Sequence, residues 1–231
     1  MRNKHKFIDY FKEGIKKKHQ VKIGVEHEKF LFSGKEKKRI NYKQLKSIFK
    51  NLEKFKWKLV FEKKNIIGLK RGNQQITTEP GLQYELSGAP LKNIHLVCRE
   101  NSNHLNEIKS ATKGLNIATA SVGFDPYNSL KQIPKSPKER YKIMTTEMPK
   151  GGELSLQMMY QTCGLQINYD YTSEKNFEKI FRVSSYLTPL TIALFANSPF
   201  SNKKFTNYVS YRNKVWQNTS RGGIMPISFE A

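Results

Sequence analysis

Glu26 and Glu28 stand two residues apart in VKIGVEHEKFLF, Val21 to Phe32, a stretch otherwise rich in β-branched and aromatic side chains. Such a run is expected to form a strand, and in a strand residues i and i+2 share a face. Two carboxylates side by side repel, so they call for water, a proton or a cation. Two further stretches carry a similar polar face. In TTEPGLQYELSG, Glu79 precedes the Pro80-Gly81 turn, and Glu85 shares a face with Gln83 and Ser87. In TCGLQINYD, Cys163, Leu165, Ile167 and Tyr169 alternate with Gly164, Gln166, Asn168 and Asp170. If these strands join one sheet, four carboxylates and two amides line a common surface. Oxygen donors of that kind suit Mg²⁺, which takes carboxylate, water and phosphate oxygens; Mg²⁺ in turn points to a nucleotide. There is no GxxxxGK[ST] and no GxGxxG, so neither a P-loop nor a Rossmann site is expected. Spacing alone leaves a second reading open, because a lone E-x-E on a strand is most often a solvated edge. His27, on the other face of its strand, reads as a packed or surface histidine rather than a ligand.

The elements that must position these residues can be read from periodicity. Phe7, Ile8, Phe11 and Ile15 have helical spacing over residues 4–18, ahead of a strand at 21–32. SGKEKKR reads as a turn or loop. Leu45, Ile48, Phe49, Leu52 and Phe55 place a second helix at Tyr42 to Lys56, with Asn41 as its N-cap. WKLVFEKKNIIGLKRGNQQITTEP reads as a β meander turning near Lys63–Asn65 and Gly72–Asn73, and QYELSGAP as another short strand. A long helix is expected at 91–113, carrying Ile94, Val97, Leu105 and Ile108 and stopped by Gly114. NIATASVGFDP is strand-like up to Gly123. Pro126, Pro134 and Pro137 make Phe124 to Tyr141 a long loop, and long loops tend to be functional or disordered. LQMMYQTCGLQINYDY contains a strand. A third long helix covers 174–195 with Pro189 as a kink, and the remaining tail reads as irregular. Strands and helices come in blocks rather than as strict βαβ units, and no internal repeat is found. That pattern favours an α+β fold, an antiparallel sheet covered by helices on one face.

The chain has 231 residues, enough for one large domain, with 37% hydrophobic residues. No apolar run approaches the ~20 residues a membrane span needs, and the charged N-terminal stretch lacks the apolar core of a secretory signal. Cys98 and Cys163 are the only cysteines and lie in no CxxC pair, so neither zinc nor a disulfide framework is indicated; a cytoplasmic protein is expected. The net charge of +22 first suggests nucleic acid. Yet lysine far outnumbers arginine and is spread along the first half, and lysine is a poorer bidentate base reader. Solvated lysine-rich faces are the preferred reading.

The blocks IGVEHEKF, NIIGLKRGNQQITTEPGLQYELSGAPL, QINYDY, ALFANSPF and RNKVWQNT together resemble the glutamate–cysteine ligase family of plants and proteobacteria, in order from Val21 to Phe229. The resemblance implies a curved antiparallel sheet with a glutamine-synthetase-like catalytic core. It implies ATP-dependent joining of the glutamate side-chain carboxylate to the amine of cysteine through γ-glutamyl phosphate, the first step of glutathione synthesis. ATP and Mg²⁺ are the cofactors it implies, and glutamate and cysteine the substrates. On that reading Glu26, Glu28, Glu79 and Glu85 are the metal ligands, and Gln166 and Asn168 complete the metal shell or hold glutamate. Arg212 and Arg221, with Trp216 nearby, face the substrate carboxylates as bidentate forks, and Arg140 contacts phosphate. Two positions depart from the family pattern: Glu139 stands where the loop's glycine is expected, and NTSRGG replaces the usual Asp-Arg pair around Arg221. Family members are roughly twice as long, a size within ordinary domain ranges. Residues 1–231 are therefore expected to be a single domain that forms the N-terminal portion of a larger, incomplete ligase catalytic domain. A catalytically inactive ligase fragment and a basic nucleic-acid-binding protein are the alternatives.

Overall fold

The computed structural model describes residues 4–219. Its organising element is β1 (Ile23–Ser33), an eleven-residue strand with different neighbours along its two halves. The first half pairs antiparallel with β6 (Tyr84–Ser87) and β8 (Leu165–Tyr169). The second half pairs antiparallel with β2 (Lys38–Arg39) and β7 (Ile117–Ala120). The expected meander is present as β3 (Lys58–Glu62), β4 (Asn65–Arg71) and β5 (Gln74–Thr78), leading into β6. Its turns use the left-handed backbone at Lys63 and Gly72, where Gly meets no steric cost. The sheet path runs β2-β1-β6-β5-β4-β3, with antiparallel pairing throughout, and does not close.

One face is covered by two helices. In α2 (Tyr42–Leu52) the Asn41 side chain accepts from Gln44 N–H while the Gln44 side chain accepts from Asn41 N–H, a complete capping box. Leu45, Ile48, Phe49 and Leu52 are its buried stripe. In α3 (Ile94–Ala111), capped by Asn93, the buried positions are Val97, His104, Ile108 and Ala111. Leu45, Ile48, Phe49, Leu52, Ile108 and Ala111 pack with Leu31, Leu69, Ile76, Tyr84 and Leu86 of the sheet, each large side chain contributing roughly 1.5–3 kcal/mol of burial, and His104 stacks on Tyr84. The opposite face carries the carboxylates. This is the α+β arrangement expected, with an open antiparallel sheet and helices packed on it.

Several local expectations are corrected. The first helix, α1 (Lys4–Glu13), stops well before residue 18, and Gly14, just past its end, lies against the Tyr171 ring, where a side chain would collide. A single helical turn at Leu130–Gln132 interrupts the proline-rich loop, whose last residues begin α4 (Glu139–Glu147). The stretch LQMMYQTCGLQINYDY does contain its expected strand, β8, but its first part, LQMMYQ, belongs to a helix not anticipated from the sequence, α5 (Ser155–Gln161). Beyond α6 (Glu174–Leu194), the tail contains a small hairpin, β9 (Phe200–Ser201) with β10 (Lys204–Phe205), and α7 (Tyr211–Gln217). Cys163 is buried against Phe30 and Phe32, whereas Leu165, Ile167 and Tyr169, in phase with it, are 47–59% exposed. His27 is half-buried and neutral at pH 7, since burial first and Lys29 second lower its pKa to about 4.

Candidate functional site

Strand register decides which carboxylates meet. Glu28 lies directly opposite Glu85 across the β1–β6 ladder, and Glu26 opposite Ser87. Facing like charges destabilise a ladder, so this pairing needs compensation. Glu79 comes directly after the last residue of β5 and swings in from the turn that leads to β6. Carboxylate oxygens of Glu28, Glu79 and Glu85 all lie within 4.8 Å of one another. Burial, then repulsion from Glu79, pushes Glu28 up to about 7 against the hydrogen bond that its Oε2 accepts from Gly164 N–H at 2.5 Å. Burial likewise pushes Glu85 up to about 7, with Glu79 and Glu26 adding to it and the Ser87 hydroxyl, 2.5 Å away, opposing.

Glu26 belongs to a different group. Opposite Gln166 in the β1–β8 ladder, its two oxygens accept from Gln166 Nε2 at 3.1 Å and Asn168 Nδ2 at 3.0 Å. All of these lie on the same face of the sheet as the acidic trio.

Cations ring the trio. Arg140, largely exposed on α4, donates to the Tyr141 hydroxyl at 2.7 Å and stands 4.0 Å from Glu79. Tyr141 in turn donates to Thr78 O at 3.0 Å and lies 3.2 Å from Glu79 Oε1. Lys138 is buried, its ammonium held by Thr77 Oγ1 and, at 2.9 Å, Thr78 O. On the other side Arg212, in the first turn of α7, donates to Cys163 O at 2.9 Å and lies over the Trp216 ring. Its guanidinium passes the bare α-carbon of Gly164, where a Cβ would come within 2.9 Å of Nη2. The field of Arg212 favours the ionised form of Glu28. Trp216 presents a buried indole N–H that has no hydrogen-bond partner. Arg221 lies outside the described residues. Lys138 and Tyr141 were missed by sequence reasoning, although both stand beside Arg140 in the proline-rich stretch SPKERY.

Oxygen-only donors, mutual repulsion and partial burial make the trio a place for protons or for a hard divalent cation. Guanidinium groups on either side suit further anions.

Comparison with known proteins agrees with the motif blocks. The family model described as glutamate-cysteine ligase family 2 matches residues 22–231. Over 230 residues the chain is 42% identical to glutamate–cysteine ligase A, chloroplastic, of Oryza sativa subsp. japonica, covering 98% of this chain and 47% of that protein. It is 43% identical to the chloroplastic enzyme of Medicago truncatula, covering 98% and 45%. For that of Arabidopsis thaliana the identity is 41% over 226 residues, covering 96% and 43%. The chain thus spans somewhat under half the length of the relatives it matches. These names overturn the expectation of a cytoplasmic protein: the relatives are chloroplastic, and sparse unpaired cysteines cannot distinguish one reducing compartment from another. No described helix is long and apolar enough to cross a membrane. The chain belongs to glutamate-cysteine ligase family 2.

Proposed function

We propose that this chain supplies the acidic centre of an ATP-dependent ligase that joins the side-chain carboxylate of glutamate to the amine of cysteine through γ-glutamyl phosphate. The observation that carries the reading is the convergence of Glu28, Glu79 and Glu85 within 4.8 Å, with two of them pushed to about 7. An acceptor carboxylate and a triphosphate are both anions, and Mg²⁺ would bridge them and neutralise the charge that develops on phosphoryl transfer. The trio fits Mg²⁺, being made of oxygen donors with unbalanced negative charge.

Around it, Glu26 orients Gln166 and Asn168, which hold a polar substrate group. Arg212 offers its free guanidinium edge, and Trp216 its unpartnered N–H, to the glutamate α-carboxylate, and Arg221 serves the same substrate. Arg140 and Lys138 face the phosphates from the opposite side. Residues 1–231 then form the N-terminal portion of a larger catalytic domain, a reading supported by coverage of under half of each relative. A basic nucleic-acid-binding protein, suggested by the charge of +22, has no use for facing carboxylates on adjacent strands.

Titrating the chain with Mn²⁺, followed by electron paramagnetic resonance, tests the centre. Glu28→Gln should weaken binding by at least about tenfold, in the range that ligand-shell changes give. Unchanged affinity in both Glu28→Gln and Glu85→Gln would remove the trio from metal binding. ADP release with glutamate and a panel of amines tests the chemistry. Cysteine dependence supports the assignment, and equal use of other amines indicates a sister ligase. Metal binding without turnover marks an inactive piece of the enzyme, while indifference to ATP combined with steeply salt-dependent RNA binding overturns it.

A further inference from the structure

Glu79 differs from the other two members of the trio in standing on a turn rather than a strand, so something must fix where that turn places it. Pro80, Gly81, Leu82 and Gln83 are all buried, an uncommon position for a loop because its backbone groups must find partners there. Within the turn, Glu79 N–H donates to Gln83 O at 2.9 Å and Leu82 N–H to Glu79 O at 3.0 Å. Leu82 adopts φ +58°, a left-handed conformation that a branched side chain tolerates only when its surroundings enforce it. Gly81 admits no side chain, since a Cβ would lie 2.5 Å from Tyr160 O and 2.9 Å from Ile133.

The enforcement comes from outside the turn. Gln83 Nε2 donates to Met159 O and Thr162 O, and Ser136 N–H donates to Pro80 O at 2.8 Å. The carbonyl of Gly81 accepts from Arg39. Arg39 lies over the Phe30 ring and pairs with Asp125 at 3.3 Å; their side chains are 1% and 0% exposed. Asp125 is itself anchored, accepting from Tyr127 N–H at 2.9 Å and Asn128 N–H at 3.0 Å. A fully buried ion pair is seldom more stabilising than apolar residues of the same volume, so stability alone does not account for it. What it adds is direction: one guanidinium ties the β2 strand, the Glu79 turn and the start of the loop that leads into α4 and Arg140. We propose that the Arg39–Asp125 pair is a positioning device that sets Glu79 against Glu28 and Glu85. Neither residue touches the carboxylates; the proposal rests on the metal reading of the trio.

The test compares three forms of the chain: wild type, Asp125→Asn, and the doubly neutral Arg39→Met with Asp125→Asn. Asn keeps an acceptor for the Tyr127 and Asn128 amides, and Met can pack on Phe30. Urea unfolding reads stability, Mn²⁺ titration reads the centre, and amide hydrogen exchange at Glu79 and Leu82 reads the turn without any metal. The single variant, with a buried unpaired cation, should lose stability. The double variant should recover it, yet bind Mn²⁺ about tenfold more weakly than wild type and exchange faster at the two turn amides. Recovery of Mn²⁺ affinity or of amide protection along with stability would reduce the pair to a structural role and overturn the proposal. A wild type that binds no Mn²⁺ overturns the metal reading instead, and the exchange rates still decide whether the pair holds the turn.

Discussion

At the scale of single residues, the facing pair Glu28 and Glu85 makes stability depend on pH in an unusual direction. A carboxyl pushed up to about 7 holds a proton in the folded protein that the unfolded chain has already released. The metal-free chain should therefore lose stability as pH rises from the ordinary carboxylate range through about 7, and the loss is complete above it. For Glu28 this amounts to about 2 kcal/mol after discounting its partial exposure. Glu28→Gln, which keeps an acceptor for Gly164 N–H, should then raise the melting temperature at pH 8 by about 4 °C and at pH 5 by only about a quarter as much. Thermal unfolding at both pH values decides this; a variant less stable than wild type at pH 8 refutes it. Adding Mg²⁺ at pH 8 should raise the wild-type melting temperature more than that of the variant. The sequence made the shared face of Glu26 and Glu28 legible, because a period of two is local. It did not reveal that Glu28 joins Glu85 and Glu79 while Glu26 turns to Gln166 and Asn168. That division depends on the registers of β1 with β6 and β8, which are properties of paired strands.

At the scale of elements, the most legible pieces are those whose signals are complete within a few residues. The helix α2 is legible from its apolar spacing and from Asn41, and the capping box bears this out. Asn41→Ala should cost about 1 kcal/mol of unfolding free energy, and Asn41→Gly only a few tenths. Urea denaturation of the two variants reads the difference directly, and equal losses would mean that the cap is not what terminates this helix. The meander is legible because Lys63 and Gly72 mark turns between alternating strands. The helices α4 and α5 are not. Prolines at 126, 134 and 137 correctly indicate loop up to Lys138 but carry no signal for the helix that starts at Glu139. In α5, Leu156, Met158, Met159 and Tyr160 form a short apolar run, for which helix and strand give the same appearance. Lys138 escapes notice because a lysine in a basic loop looks solvated until the fold buries it against Thr77 and Thr78.

At the scale of the whole molecule, two surface properties oppose each other. The helix α6 has 21 residues and not one is buried. Phe177, Phe181, Leu187, Leu190 and Leu194 are 37–69% exposed along it, and Leu165, Ile167 and Tyr169 are exposed on β8. The alternation of β8 is plain in the sequence. That its apolar side faces no described core is not, because periodicity reports a face and not what covers it. Apolar surface on this scale drives association, whereas a net charge of +22 keeps molecules apart through repulsion that salt screens. The chain is therefore expected to be dispersed at low ionic strength and to associate as salt rises, when the screening length falls to about 10 Å at 0.1 M. Sedimentation velocity at about 0.02 M and 0.5 M salt, the ends of the range over which screening changes most, measures this. Leu190→Glu with Leu194→Glu should suppress the high-salt association and reduce binding of an apolar fluorescent dye, while leaving Mn²⁺ affinity untouched because α6 contributes nothing to the acidic trio. Association that weakens with salt would instead identify contacts between charges as its cause. Association unchanged by the two substitutions would place it on some surface other than α6.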